Sequence, residues 1–422
     1  MREMKDSGIE WIGEIPKEWE ISILSTIFKE HKKKNIGLIE NNLLSLSYGR
    51  IVRKSLEDNN GLLPTSFETY NVIKKGHIVF RLTDLQNDKR SLRTGLCKEK
   101  GIITSAYVTL APIDNDDTAY MHYLFYIYDI CKVFYGMGDG VRQSITFNDL
   151  KALKVIVPPL STQHRIADYL DDKCGKIDRY IEQQKQVIEK LKAYKQSVIT
   201  EAVTKGLDPT VPMKDSGVEW IGEIPEGWEV TKIKKYCKLK TGTTPSTSNT
   251  DWFDGDFQWF TPGDFRENYI LDKSSRCLSE RAKEDGVAVM VPHNTVLIVG
   301  IGATAGKIGY TTVDCSFNQQ ITAISSKNVL SKYLMYWMIA NTKFLRDTAL
   351  FTTLPILNNQ TIGDYILIFP RDHKEQELIV QYLDNLCISI DSSIKEKQTL
   401  LEKLTEYKKS LIYEVVTGKK EV

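Results

Sequence analysis

The run Gly300-Ile-Gly-Ala-Thr-Ala-Gly306-Lys307-Ile308 follows an apolar, strand-like segment and has the outline of a phosphate cradle. Such a loop works when four residues separate its outer glycines and a hydroxyl residue follows the lysine to reach magnesium. Here Ile301 stands at the glycine position and Ile308 follows Lys307, so nucleotide hydrolysis is not expected. The Gly300-x-Gly302-x-x-Ala305 spacing also touches the dinucleotide fingerprint, but no long helical pattern or second strand with a terminal acid follows it. The six histidines are scattered, and neither His-Glu-x-x-His nor Gly-x-Ser-x-Gly occurs. Glu30-His31-Lys32 lacks an upstream acid for a nuclease site, and the Asn-Pro-Pro-aromatic loop of adenine methyltransferases is absent. No catalytic residue, metal site or cofactor is assigned.

What remains is polar and basic. Lysines and arginines position phosphates, whereas base edges need forked donors and acceptors, which Arg, Asn and Gln supply. The phosphate candidates include Lys33 in His31-Lys32-Lys33-Lys34, Arg50, Lys89, Arg90, and Lys240 at the end of a lysine-rich stretch from Lys232. The base-reading candidates are Arg81, Arg93, Arg142, Gln143, Asn318, Gln319 and Gln320. Ser105, Tyr107, Thr243, Thr244, Thr304 and Lys307 complete the nucleic-acid set. Overall charge does not decide the matter, since 56 Lys+Arg oppose 55 Asp+Glu.

The elements that must carry these residues follow from a repeat. Met4-Lys-Asp-Ser-Gly-Ile-Glu-Trp-Ile-Gly-Glu-Ile-Pro16 returns at 213–225 with one change, Ile9 to Val218. A second match, shifted by 213 positions, runs from Ile166-x-x-Tyr169-Leu170-Asp171 and Ile379-x-x-Tyr382-Leu383-Asp384 to Glu201 and Glu414. Between the matched ends the copies diverge, although Tyr120-x-x-Tyr123 and Tyr333-x-x-Tyr336 keep the offset. Each copy is a constant frame around a variable insert. The inserts mix β-rich pieces with one aromatic helical stretch each, which is expected to pack as core. The fold class is therefore α+β.

After Pro158-Pro159 and Pro370 a charged helical pattern runs to Gly206 and Gly418. Each helix should span about 40 residues, roughly 60 Å. Their heptad stripes place Leu170, Ile177, Ile181, Ile188, Leu191 and Val198 opposite Leu383, Ile390, Ile394, Leu401, Leu404 and Leu411, with polar interruptions at matching places. Short linkers require the two helices to pair antiparallel as a coiled coil, with one insert at each end and a pseudo-twofold between copies. In that register Lys195 should approach Asp384, and Lys408 should approach Asp171. The expected boundaries are 1–157 and 207–369 for the two insert-bearing domains, with helices over 158–206 and 370–422.

Composition bounds the rest. At 422 residues, 41% hydrophobic and 26% charged, the chain suits two soluble globular cores. No apolar run approaches a membrane span and the N-terminus is unlike a signal peptide, so a cytoplasmic location is expected. Seven separated cysteines suggest reduced, mostly buried thiols. An adaptor bridging two proteins without DNA is the other reading of the doubled frame; divergent inserts in a constant frame favour recognition.

Asp-Ser-Gly-(Ile/Val)-Glu-Trp-Ile-Gly-x-Ile-Pro-x-x-Trp at 6–19 and 215–228, and Val157-Pro158-Pro159-Leu-x-x-Gln163 leading into Ile166-Ala167-x-Tyr169-Leu170-Asp171, resemble the specificity subunits of type I restriction-modification systems. The second copy departs with Phe369-Pro370-Arg371. The 44–50 and 76–84 segments resemble one class of target-recognition domain, and the 241–246, 259–264 and 302–309 segments resemble another. The resemblance implies a non-catalytic subunit that reads a bipartite, asymmetric double-stranded DNA target through two target-recognition domains, the helices setting the spacing. It also implies partners: two modification subunits using S-adenosylmethionine, and two motor-nuclease subunits using ATP and Mg. Trp11/Trp19 and Trp220/Trp228 are then docking surfaces, or else pack the N-terminal strips against the helix ends.

Overall fold

The structure, a computed structural model, describes residues 2–54, 66–85, 92–114, 117–137, 144–347, 350–351 and 355–422. Four helices organise the chain, α1 (Thr118–Ile130) and α3 (Ser331–Asp347) in the inserts and α2 (Leu160–Lys205) and α4 (His373–Val416) in the frame. The long helices α2 and α4 reach 46 and 44 residues. Gly206 and Gly418, at φ 75° and 73°, stand just past their ends, where a left-handed residue terminates a helix at no side-chain cost. The chain divides into two compact units, 1–183 with 400–422, and 184–399. Each takes one insert and a segment of each long helix.

In the first unit an antiparallel sheet runs in the order 28–30, 108–112, 78–80, 94–96. α1 lies in the same core as this sheet: Tyr120, Met121, Leu124, Phe125 and Tyr128 are buried with Ile78, Phe80 and Leu110. Asp117 starts α1 by accepting from the amides of Ala119 and Tyr120. Leu170 and Cys174 of α2 and Leu411, Ile412, Val415 and Val416 of α4 complete the core. The aromatic stripe is thus core, as expected. Its polar tips do a second job: the Tyr120 hydroxyl donates to the carbonyls of Ile156 (3.3 Å) and Val416 (3.2 Å).

The second unit repeats the plan around a different insert. One sheet runs 237–241, 321–326, 296–299, 308–311, 270–271, and another runs 276–278, 253–260, 315–317, 290–291. α3 buries Tyr333, Leu334, Trp337 and Met338 among Val296, Ile298 and Ile324. Tyr333, the counterpart of Tyr120, donates to the carbonyls of Val203 and Ile368, both at 3.1 Å.

Within each unit the segments of α2 and α4 pack antiparallel, and the seam positions are buried or half-buried. In the first unit Lys408 donates to Asp178 (2.6 Å), and Val416 lies by the strand that leads into α2. In the second, Lys195 donates to Asp391 and Lys397 to Gln184. The register therefore differs by one heptad from the expected Lys195–Asp384 and Lys408–Asp171 pairs. Asp171 and Asp384 are taken by the insert helices: Asp171 accepts from the Tyr123 hydroxyl (2.7 Å), and Asp384 from the Tyr336 hydroxyl (2.7 Å) and the Lys332 ammonium (2.6 Å).

The tryptophans face inward, which corrects the docking expectation. Trp19 is 1% exposed, beside Gly418, and Trp11 meets Tyr128 edge to face. Trp228 is 3% exposed and donates to Glu375 (2.8 Å), while Trp220 stacks on Phe344. The backbone around Trp11 is held by the helix end, with Tyr413 and Lys419 donating to the carbonyl of Ile12. Packing wins because each indole completes an apolar core at a helix terminus. The cysteines are free; Cys97, Cys174, Cys237, Cys315 and Cys387 are buried, Cys131 is exposed and Cys277 is half-buried.

Candidate nucleic-acid interface

In the first unit one recognition-type element is a hairpin, Leu44–Ser47 paired with Arg50–Arg53. Its two-residue turn, Tyr48-Gly49, has positive φ at both positions (45° and 78°), the conformation that matches strand twist. Tyr48 is 77% exposed at the tip. The hairpin is seated close to its turn, because Gly95 brings the backbone so near that an added Cβ would lie 2.5 Å from Leu46 and 3.0 Å from Ile51. Arg53 forks onto Glu99 (Nε to both oxygens, 2.9 Å), which holds that carboxyl below its ordinary range. Arg50 donates to Asp178 at 2.9 Å, the same carboxylate that receives Lys408.

The other first-unit candidates scatter. Lys33 is exposed, on the strand edge where its carbonyl accepts from Val72. Arg81 is half-buried, its amide bonded to the carbonyl of Arg93. Ser105 is exposed and Tyr107 half-buried in the turn between 101–103 and 108–112. Arg93 is 0% exposed. Its guanidinium donates to the carbonyls of Thr83 (3.1 Å) and Asp84 (3.5 Å) and lies against Tyr135, so it braces a loop and offers no donor to a base in this conformation. A fully buried guanidinium keeps its internal bonds, since losing them strands a charge without water. Lys89, Arg90, Arg142 and Gln143 lie outside the described residues.

The second unit gathers its candidates. Gly242 makes this possible: a Cβ there would sit 2.3 Å from the carbonyl oxygens of Phe317 and Asn318, so only glycine lets the 241–246 segment cross the 317–320 turn. The crossing is bonded by Gly242 N to Ile321 O and Thr243 N to Phe317 O, both 3.0 Å. The exposed Thr244 hydroxyl then reaches the exposed Gln319 amide. Gly300 donates to the carbonyl of Gln320 (2.7 Å), which draws the 300–307 loop to the same place, and Gln320 reaches the carbonyl of Ile301 (3.4 Å). Lys240 is exposed on the strand leading in.

Two members of this set differ from expectation. Asn318 is 8% exposed and spends its amide on Gln320, holding the turn rather than projecting from it. Lys307 lines a separate cavity beside the helix segments, while Thr304 is half-buried in the loop. Two surface residues stand outside the expected set: Tyr48, within the 44–50 segment, and Asn359, which bonds Thr241 and Thr322 at 2.9–3.1 Å and has no sequence signal. The resulting surface is hydroxyl- and amide-rich with flanking lysines, suited to hydrogen bonding and phosphate contact. Among the described residues there is no group of three or more His, Cys, Asp or Glu side chains that could hold a metal, and no helix long and apolar enough to cross a membrane.

Comparison with known proteins agrees with this architecture. The family described as type I restriction modification DNA specificity domain matches twice, at residues 16–193 and 225–403. The chain is 24% identical over 427 residues to the putative type I restriction enzyme MjaX specificity subunit of Methanocaldococcus jannaschii, covering 97% of this chain and 95% of that one. It is 28% identical to the MjaIX specificity subunit of the same organism over 194 residues, 44% of this chain and 43% of the relative. The HindI specificity subunit of Haemophilus influenzae is 23% identical over 81% of this chain and 83% of its own. Among solved structures, a chain from a study of type I R-M complex assembly and conformational transition superposes with TM-score 0.70 at 14% identity, covering 96% of this chain and 99% of that one. The HsdS subunit from Thermoanaerobacter tengcongensis gives 0.50, also at 14% identity, over 96% and 98%. These likenesses show the fold.

Proposed function

The chain belongs to the type I restriction modification DNA specificity domain family, and from that premise we propose that its two inserts each read one half of a bipartite, asymmetric duplex target. The observation that carries this reading is the contrast inside the repeat. The frame is duplicated to the level of single bonds, Tyr120 with Tyr333 and Lys408–Asp178 with Lys195–Asp391, while the surfaces it holds are unlike. One unit offers a tyrosine-tipped hairpin with arginines, and the other a threonine–glutamine turn. Unlike surfaces on one frame suit two unlike half-sites, and a spacer between them is left unread.

The chemistry belongs to partners. Adenine N6 is inside the base stack, so a modification subunit using S-adenosylmethionine must extrude the base while this chain grips its surroundings. Two such subunits, and two motor-nuclease subunits using ATP and Mg, complete the assembly. This chain contributes no group to bond making or breaking.

The test is detection of N6-methyladenine, by sequencing, in cells that carry this chain with its neighbouring modification subunit and in cells that lack it. Methylation at one bipartite motif, lost on deletion, is expected. An unchanged methylome with the partner active would leave the chain as a protein adaptor.

A further inference from the structure

Beside the helix segments of the second unit lies a cavity of about 740 Å³. Five basic and two acidic side chains line it. Asp391 takes Lys195 with both oxygens, and Lys192 makes only loose pairs with two exposed carboxylates, Glu189 at 3.4 Å and Glu267 at 3.8 Å. Arg266, Lys307 and Lys395 form no ion pair or side-chain hydrogen bond among the described residues. Three unpaired cations around one concavity raise the local potential and favour a polyanion.

The wall of this cavity carries a strained residue. Tyr269 adopts φ 63°, a left-handed conformation uncommon for an aromatic side chain, and its ring lies 5.2 Å from the Lys195 ammonium. The 265–269 turn places Arg266 on the same cavity as Lys307 and the helix lysines. The repeat supplies an internal control. The repeat counterparts of Lys395 and Lys192 are Glu182 and Thr405, both in the first unit, so the basic helix face is peculiar to the second unit. In the first unit, the cavity between hairpin and helices sets two carboxylates, Asp171 and Asp178, against Arg50, Lys98 and Lys408, with Arg50 and Lys408 both ion-paired to Asp178.

We propose that this cavity is a sequence-independent phosphate contact: Lys192 and Lys395 of the helices, with Arg266 and Lys307 of the insert, grip the DNA backbone at a fixed offset from the second half-site. The helix segments then act on DNA directly as well as carrying the inserts. This rests on the DNA-reading function proposed above.

The experiment measures binding of the full-length chain to two duplexes, one with the methylated motif and one scrambled, across a salt series. Lys192→Gln/Lys395→Gln, in a chain whose thermal melt is unchanged, should weaken binding to both duplexes equally, roughly tenfold, and lower the salt slope by about 2. Lys192→Arg/Lys395→Arg should restore both. Wild-type affinity and slope in the Gln variant would overturn the proposal, as would a loss confined to the motif duplex, which would make these residues base readers. Saturable binding of ATP alone that the Gln variant loses, with DNA affinity intact, would assign the cavity to a free nucleotide instead and equally overturn it. Failure of the wild-type chain to prefer the motif duplex would count against the specificity reading, while the equal-loss comparison still judges the phosphate contact.

Discussion

Lys397 donates its ammonium to the side-chain oxygen of Gln184 at 3.1 Å, and the two residues occupy the same place in the two copies of the repeat. In an antiparallel helix pair made from a duplicated sequence, a position meets its own counterpart only at the midpoint. The lysines at the next interruption find aspartates, Lys195 with Asp391 in the second unit and Lys408 with Asp178 in the first. Polar breaks in the seam therefore specify register, a role such residues perform at a cost in stability.

Replacing both midpoint residues, Gln184→Leu with Lys397→Leu, should stabilise the chain by about 1 kcal/mol, because apolar contact replaces a partly desolvated polar pair. Lys195→Met alone should destabilise it by about 1–3 kcal/mol, because Lys195 is 8% exposed and its loss leaves Asp391 without its charged donor. Urea denaturation of each variant measures both; a destabilised double leucine variant would contradict the account.

Tyr333→Phe and Tyr120→Phe keep the packed ring and remove a hydroxyl that serves two carbonyls at the junction of insert and helix. Each should cost about 1–2 kcal/mol. If either melts like the parent protein, the hydroxyl does not tie insert to helix.

Acid should weaken the first unit through His77. Burial foremost, and then the neighbouring His31 and Lys74 charges, lower its pKa to about 4, and neither buried ring nitrogen has a partner. A histidine whose folded pKa lies below its unfolded value contributes stability above about pH 6.5, lost as the pH falls from there toward 4. At pH 5 the loss should approach about 2 kcal/mol. Denaturation at pH 7.5 and pH 5, with the difference reduced in His77→Gln, tests this; equal differences in the two proteins would assign the acid sensitivity elsewhere.

Gln319→Ala with Thr244→Ala should relax only one half of the methylated motif, and Tyr48→Ala with Arg50→Ala only the other. Loss of a good base contact is worth about 1–3 kcal/mol of discrimination. Sequencing of the methylome reads both at once, and a change in both halves from either pair would sink the assignment of one surface to one half-site.

The sequence by itself determined the duplication, the limits of the two long helices, the burial of the aromatic stripes and the antiparallel direction, because each follows from local periodicity or from connectivity. Tertiary structure decided what depends on competition between partners distant in the chain. Asp171 and Asp178 are a heptad apart on one helix face, and either could have met Lys408; the Tyr123 hydroxyl of the insert takes the first and leaves the second. Arg93 has the chemistry to read a base, yet the carbonyls of Thr83 and Asp84 and the ring of Tyr135 close around it. Lys307, in the loop with the outline of a phosphate cradle, lines a cavity shared with helix lysines more than 80 positions away. Charge and hydrogen-bonding capacity are properties of residue type, but which partner consumes them is a property of the packed chain.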